Sequence, residues 1–183
     1  MHRIGPYNTT HQRKATWVER ASLACDLLSG AIAAGRIQAI SDIGCGDQKL
    51  KRLIRDRGWR IIYKGFDLVP QGEQVELLDL NVTPPPGRSD VAVVLGVLEY
   101  VDDVGACMRR LSSHAPLLVV SHTVRDGDHF SQKTQQDRGW KNHLYAHEFA
   151  QLLTENGWQL IDARTTSNSR TRVWLAERID LAT

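Results

Sequence analysis

A seven-residue strand that runs straight into a glycine turn constrains this chain more than any other feature. Residues 37–43 read as a short buried strand, Gly44-Cys45-Gly46 follows at once, and Leu50, Leu53 and Ile54 then share one helical face that stops at Gly58. A strand that passes through a turn into a helix is the first half of a crossover unit, and the strand after the helix returns parallel to the first.

The rest of the chain repeats that alternation. Residues 60–67 and 75–80 read as strands separated by Pro70-Gln71-Gly72, and 91–95 is a continuous apolar run of the kind buried on both faces of a parallel sheet. Thr83-Pro84-Pro85-Pro86-Gly87 has no N–H donors for a ladder across its prolines and is a loop. A helix over 102–113 leads to a strand at 117–121. A helix marked by Phe149, Leu152 and Leu153 closes at Asn156-Gly157, and 158–163 and 172–177 form an antiparallel pair. Upstream, Trp17, Ala21, Ala24, Leu28 and Ile32 recur at helical intervals over 16–34, with Thr16 and Glu19 spaced as a capping box. The expected fold is α/β: a doubly wound, mostly parallel seven-stranded sheet with a terminal antiparallel strand pair.

At 183 residues this is one domain, with 1–36 an N-terminal segment and helix serving as a candidate lid and 37–178 a binding core. The polar stretch 124–141 is long for a connection in a compact domain and reads as a second lid. A net charge of +2 with Lys and Arg dispersed among Asp and Glu lacks the dense basic face of a nucleic-acid binder, so the clusters at Arg13-Lys14 and 49–60 read as solvated helix faces. Cys25, Cys45 and Cys107 are odd in number and have neither disulfide nor zinc spacing, which fits reduced thiols in a cytoplasmic protein without a metal. No apolar run reaches the roughly 20 residues that span a bilayer, and no membrane partner is expected.

In such sheets ligands sit at the carboxyl ends of the strands, where strand order reverses. The loops after Ile43, Phe66, Leu80, Leu95 and Ser121 therefore line one crevice. The glycines allow close backbone approach there, and Asp67, 21 residues after Gly46, can accept from a ribose diol.

These residues resemble a family. Ser41-Asp42-Ile43-Gly44-Cys45-Gly46-Asp47 is similar to the first motif of class I S-adenosylmethionine-dependent methyltransferases, Gly65-Phe66-Asp67 to the second and Leu78-Asp79-Leu80 to the third. The segment from Asp90 to Val101 is similar to the fourth. The resemblance implies a Rossmann-like fold over 37–177 and S-adenosylmethionine as cofactor, with S-adenosylhomocysteine as product. It also implies roles: Gly44, Cys45 and Gly46 around the methionine and ribose, Asp42 near the ammonium group, and Asp67 on the ribose hydroxyls. Leu68 would lie on the adenine, Asp79 and Leu80 at its edge, and Leu95 and Gly96 under the sulfonium. The family often has a third glycine where Gln48 stands; glutamine fits if the chain has already turned into helix there, and otherwise crowds the cofactor's carboxylate. Gly44-x-Gly46-x-x-Lys49 fails the dinucleotide pattern, which argues against a nicotinamide oxidoreductase.

In-line methyl transfer depends mostly on positioning, so a base is optional. For a hydroxyl acceptor, His122 at the end of its strand is the first choice and His143, beside Trp140 and Asn142, the second. Tyr7, Trp17, Tyr100, Trp140 and Tyr145 are candidate walls of an acceptor pocket, with Trp17 also fitting the core, and Glu99 is read as holding the loop after the fourth strand. The Asn/Asp-Pro-Pro-Tyr signature of base methylation is missing from Leu95-Gly96-Val97-Leu98. The expected acceptor is a small molecule, a sugar or other hydroxylated metabolite. A catalytically silent partner subunit and a small RNA methyltransferase stand as alternatives.

Overall fold

The computed structural model describes residues 15–72, 74–127 and 131–179. Its elements run α1 (Ala15–Ala33), β1 (Ala39–Ile43), α2 (Lys49–Asp56), β2 (Ile62–Asp67), β3 (Val75–Leu77), β4 (Val91–Leu95), α3 (Val104–His114), β5 (Leu117–Thr123), α4 (Gln132–Asp137), α5 (Ala146–Glu155), β6 (Trp158–Thr165) and β7 (Thr171–Arg178). They build one seven-stranded sheet in the order β3-β2-β1-β4-β5-β7-β6, parallel except for β7, which runs antiparallel to both β5 and β6.

The strands divide their side chains between two cores by simple alternation. From β4, Ala92 and Val94 face α3 and α5, joining Met108, Leu111, Phe149, Leu153 and Trp158. Val91 and Val93 face the other way, into Ala24, Cys25 and Leu28 of α1 and Leu50 and Ile54 of α2. From Leu23 to Ile32, helix α1 is therefore part of the second core.

Three local expectations are corrected. Helix α1 is already under way at Ala15, so Thr16 is not its cap; Glu19 instead accepts the Ser167 N–H at 2.6 Å and its hydroxyl at 3.2 Å, tying α1 to the β6–β7 turn. The third strand is shorter than 75–80, because the chain leaves the sheet after Leu77 to bury Leu78 and Leu80 beneath it. The polar stretch 124–141 contains α4. Ser131 caps that helix by accepting the Thr134 N–H at 3.2 Å, and Gly139 closes it at φ 68°. Tyr7 lies outside the described residues.

The sheet reverses between β1 and β4: from β1 the chain builds outward through β2 and β3, and from β4 outward through β5. The carboxyl ends of these two central strands face the loops at 44–48 and 96–103, the opening that the connectivity requires.

Candidate active site

The glycine turn is pinned to the end of β2 by its own amides. The N–H groups of Gly44 and Cys45 both donate to the Phe66 carbonyl, at 2.8 and 3.0 Å. The Gly46 N–H donates to Asp67 Oδ2 at 2.8 Å, and the other oxygen, Oδ1, accepts the Val69 N–H at 3.0 Å. The Asp67 carboxylate is thus aimed by two backbone donors while each oxygen retains a lone pair for a further donor.

Gly44 is irreplaceable on two counts. Its φ is 73°, and a Cβ there would come within 2.2 Å of Val97 Cγ2, because Val97 from the loop after β4 packs directly over the turn. Gly44→Ala should cost about 1–3 kcal/mol in urea denaturation, of which the left-handed backbone accounts for about 1 kcal/mol. Adding Val97→Ala should recover only the collision. Full recovery in the double variant would remove backbone strain from the account.

Gln48 is not helical. It sits at φ 59° and ψ 43°, the left-handed conformation in which glycine is at ease, immediately before α2 begins at Lys49. Its amide reaches to the turn after β2, where a Cβ on Gly72 would lie 2.7 Å from Gln48 Nε2. The side chain therefore leans away from the glycine turn. Strain concentrated at this point in the chain marks the turn as over-determined by its surroundings.

Three carboxylates gather around the turn. Asp42, only 4% exposed, accepts the Tyr63 hydroxyl at 2.7 Å through Oδ2. Burial pushes its carboxyl up to about 7, with the fields of Asp67 and Asp47 adding to the rise against the Tyr63 bond. Burial raises its neighbours too, the Cys45 thiol to about 12 and the Tyr63 phenol above its ordinary range. Asp47 is partly desolvated, yet bonds from Lys49 and Arg52 hold it below the ordinary carboxylate range.

The remaining expected cofactor residues take varied positions. Leu68 is 53% exposed beside Asp67. Asp79 Oδ1 accepts the Asn81 N–H at 2.9 Å, closing the turn after β3. The Leu80 side chain is in the core, and its carbonyl accepts from Arg110 Nη1 at 3.2 Å. Leu95 packs against the second core, and the Gly96 N–H donates to Ser121 Oγ at 2.9 Å.

Beyond Gly96 the crevice changes character. Trp17 and Arg20 of α1 lie across it: a Cβ on Gly96 would meet Arg20 Nη1 at 2.7 Å and Trp17 Cζ3 at 2.8 Å. Arg20 is 9% exposed; its Nη2 donates to the hydroxyls of Thr171 at 3.0 Å and Thr123 at 3.3 Å, and its guanidinium lies 4.5 Å over the Trp17 ring. Glu99, at 1% exposure, accepts the Thr123 N–H at 2.9 Å, and its own carbonyl accepts from Lys141 and Asn142. Burial alone would raise the Glu99 carboxyl, but His122, Arg20 and the N–H donors outweigh burial and hold it low. Glu99 thus ties the loop after β4 to the end of β5 and to residues 141–142.

His122, expected as a base at the mouth, lies wholly inside the core. It stacks on Phe149 with centroids 4.8 Å apart, and its Nε2 accepts the Leu144 N–H at 3.2 Å. Burial depresses its basicity, so it is neutral near pH 7. The physical reason is register: β5 continues two residues past Ser121, which carries His122 into the strand instead of the loop. His143 is half-buried beside Trp140, ring centroids 5.2 Å apart, and burial with the nearby Arg125 depresses it also. Tyr100 is joined to this wall by a bond from Trp140 Nε1 at 3.2 Å.

Sequence reasoning passed over Arg20, Tyr63, Val97 and Ser121. Arg20 carried a readable signal, since it falls three residues after Trp17 and four before Ala24 on the apolar stripe of α1, where a charged residue needs a buried partner. The others act through contacts between strands distant in sequence and leave no local pattern.

Among the described residues no His, Cys, Asp and Glu side chains gather as a metal site, and no helix is long and apolar enough to cross a membrane. The profile of the methyltransferase domain family matches residues 14–163. No curated protein sequence matches the chain. Among solved structures, a chain from a Haloferax volcanii complex containing the Trm112 methyltransferase activator superposes with a TM-score of 0.65 at 12% identity, covering 92% of this chain and 96% of its own. Magnesium protoporphyrin IX methyltransferase from Synechocystis with bound S-adenosylhomocysteine gives 0.63 at 18% identity, covering 88% and 84%. The [4+2]-cyclase SpnF gives 0.66 at 14% identity, covering 86% and 80%. At these identities the likeness is one of fold.

Proposed function

The chain belongs to the methyltransferase domain family, and on that premise we propose that it transfers the methyl group of S-adenosylmethionine to a hydroxyl of a small-molecule acceptor. The observation that carries this reading is the joint between the glycine turn and Asp67, with the buried Asp42 carboxylate beside it. A carboxylate that burial pushes up to about 7, with Asp67 and Asp47 adding to the rise, suits a cationic ligand. The two amide-aimed oxygens of Asp67 suit a vicinal diol. The residues fit S-adenosylmethionine on both counts.

When bound, that cofactor supplies an electrophilic methyl group and is left as S-adenosylhomocysteine. The protein's part is to hold and orient. Asp67 would take the ribose hydroxyls, Asp42 the ammonium group, and Gly44, Cys45 and Gly46 the backbone close to them. Leu68 would cover one adenine face, with Asp79 and Leu80 at its edge, and Leu95 and Gly96 would floor the transfer site. Trp17, which lies over Gly96, keeps water from that floor. Among the histidines, His143 beside Trp140 is the one proposed to take the acceptor's proton, being neutral near pH 7. His122 is proposed to support it from the core by fixing Leu144, the residue after His143.

Calorimetric titration with S-adenosylmethionine and S-adenosylhomocysteine tests the reading. The expected result is a micromolar Kd for both, weakened at least about 30-fold in Asp67→Ala, which loses two charge-assisted acceptors at once. Absence of binding by the folded wild-type chain to either compound sinks the assignment and favours a catalytically silent member of the family.

A further inference from the structure

We propose that the acceptor carries a second hydroxyl beside the one that is methylated, and that Arg20, Glu99 and His122 hold it. This rests on the methyltransferase reading above and deepens it by naming the class of acceptor, a diol.

Three buried polar atoms carry the argument. Arg20 Nε, Glu99 Oε2 and His122 Nδ1 are closed off from solvent, and none has a hydrogen-bond partner within the protein. They belong to α1, the loop after β4 and β5, yet their side chains gather at one place, the end of β5. Glu99 Oε1 accepts the Thr123 N–H at 2.9 Å, Arg20 Nη2 donates to the Thr123 hydroxyl at 3.3 Å, and His122 is the residue before. The three groups are electrostatic neighbours of one another. Arg20 also reaches the floor of the proposed transfer site, since a Cβ on Gly96 would lie 2.7 Å from its Nη1. A group held by these atoms therefore lies beside the reacting one.

The pattern of donors selects the ligand's functional group. His122 Nε2 accepts the Leu144 N–H, so the neutral ring carries its hydrogen on Nδ1. Two N–H donors, His122 Nδ1 and Arg20 Nε, are thus set with one carboxylate acceptor. A hydroxyl answers all three, with two lone pairs for the donors and a hydrogen for Glu99. A carboxylate or ether oxygen has no hydrogen for Glu99, and an ammonium group has no lone pair for Arg20 and His122. A buried water has the same three-bond chemistry, and the acceptor's hydroxyl takes its place. The reacting hydroxyl is a different one. Its oxygen gains negative charge as its proton leaves, and the Glu99 carboxylate, ionised at neutral pH, repels that charge. The reacting oxygen takes the methyl group and passes its proton to His143, while its neighbour stays a hydroxyl.

The test is a set of titrations on the full chain saturated with S-adenosylhomocysteine, read by tryptophan fluorescence. The probes are catechol, 2-methoxyphenol and phenol, with the saturated cyclohexane analogues of all three. In at least one series the diol should bind about tenfold more tightly than its methoxy and monohydroxy counterparts, because each of those leaves a buried group unmet. Turnover with S-adenosylmethionine, followed by mass spectrometry, gives a second readout: the preferred diol should stop at the monomethyl ether, whose ether oxygen has no hydrogen for Glu99. Glu99→Gln keeps an acceptor for the Thr123 N–H, and its amide N–H can donate to an ether oxygen. In that variant the diol should lose its advantage over the methoxy compound, and the dimethyl ether should form, with the affinity for S-adenosylhomocysteine unchanged. Diols that bind no better than their counterparts in either series, absence of binding included, overturn the proposal and leave the three atoms to a water only. So does a dimethyl ether formed by the wild-type chain, or a preference that survives in Glu99→Gln. The wild-type comparisons decide even where the variant is unstable. The titration of S-adenosylhomocysteine itself reads the methyltransferase assignment separately, so a failure of one is not mistaken for a failure of the other.

Discussion

Glu99→Ala is expected to destabilise the fold by about 1–3 kcal/mol, because the buried Thr123 N–H loses its acceptor and the buried Arg20 guanidinium loses a nearby negative charge. Both residues are almost fully enclosed, at 1% exposure for Glu99 and 9% for Arg20, and they act on each other through their charges. Removing the carboxylate leaves Arg20 with only the hydroxyls of Thr123 and Thr171, and the Thr123 N–H loses its acceptor as well. Glu99→Gln should cost less, since an amide oxygen still accepts from Thr123 while the charge is lost.

The decisive comparison is the double variant Glu99→Leu with Arg20→Met. Replacing both charges by apolar groups of similar size removes the unmet demand, so its loss in urea denaturation at pH 7.5 should be below the sum of the single losses, by roughly 1 kcal/mol. Additive losses would show that the two side chains stabilise independently. The acid limb gives a second readout. Glu99 is held below its ordinary value of 4.5, so its contribution is fully present above that value and is lost as pH falls through the lower folded value. The Gln variant should therefore show a flatter fall in stability below about pH 4.5.

What the sequence disclosed and what it hid divide along a physical line. Period and punctuation are local, so the strands ending at Ile43, Asp67 and Leu95, and the helices closed by Gly35, Gly58 and Asn156-Gly157, could be read directly from residue order. The terminal pair was legible for the same reason, as two β-rich runs about a polar turn. Strand length at a sheet interior is not local: β5 continues through His122 and Thr123 because β7 pairs with it there, His122 opposite Arg172 and Thr123 opposite Thr171. That extension moved His122 from the expected crevice into the core. Gln48 shows the opposite limit. Its left-handed backbone contradicts the preference of its own side chain, and only the fixed ends at Cys45 and Lys49 impose it. The glycine turn and Asp67 could be paired from spacing and resemblance, whereas the Arg20–Glu99 pair joins residues from the first helix and the fourth strand's loop, which no periodicity connects.

Asp42→Asn should stabilise the chain at alkaline pH and weaken it as a cofactor binder. The Asp42 carboxyl rises from an ordinary 3.8 to about 7 in the folded state, chiefly through burial. The folded state therefore prefers the protonated form, and the stability this confers is complete below pH 3.8 and is lost as pH rises through about 7. At about 1.4 kcal/mol for each pH unit between those values, the ionised form costs the fold roughly 4 kcal/mol at pH 8, an upper figure because the site can relax. Asparagine has the same shape, can still accept the Tyr63 hydroxyl and carries no charge, so at pH 8 it should recover roughly 2–4 kcal/mol of that cost. At pH 4 the two proteins should differ little. A strained carboxylate of this kind is retained for what it binds, and an ammonium group placed against it relieves the cost. Wild-type affinity for S-adenosylmethionine should accordingly fall about tenfold per pH unit below 7, as binding comes to require release of the Asp42 proton, and Asp42→Asn should bind weakly at every pH. Denaturation curves and calorimetry on both proteins from pH 5.5 to 8.5 measure the two effects together. If Asp42→Asn is less stable than wild type at pH 8, the carboxylate is serving the fold through its bond with Tyr63, and the exchange of stability for binding is excluded.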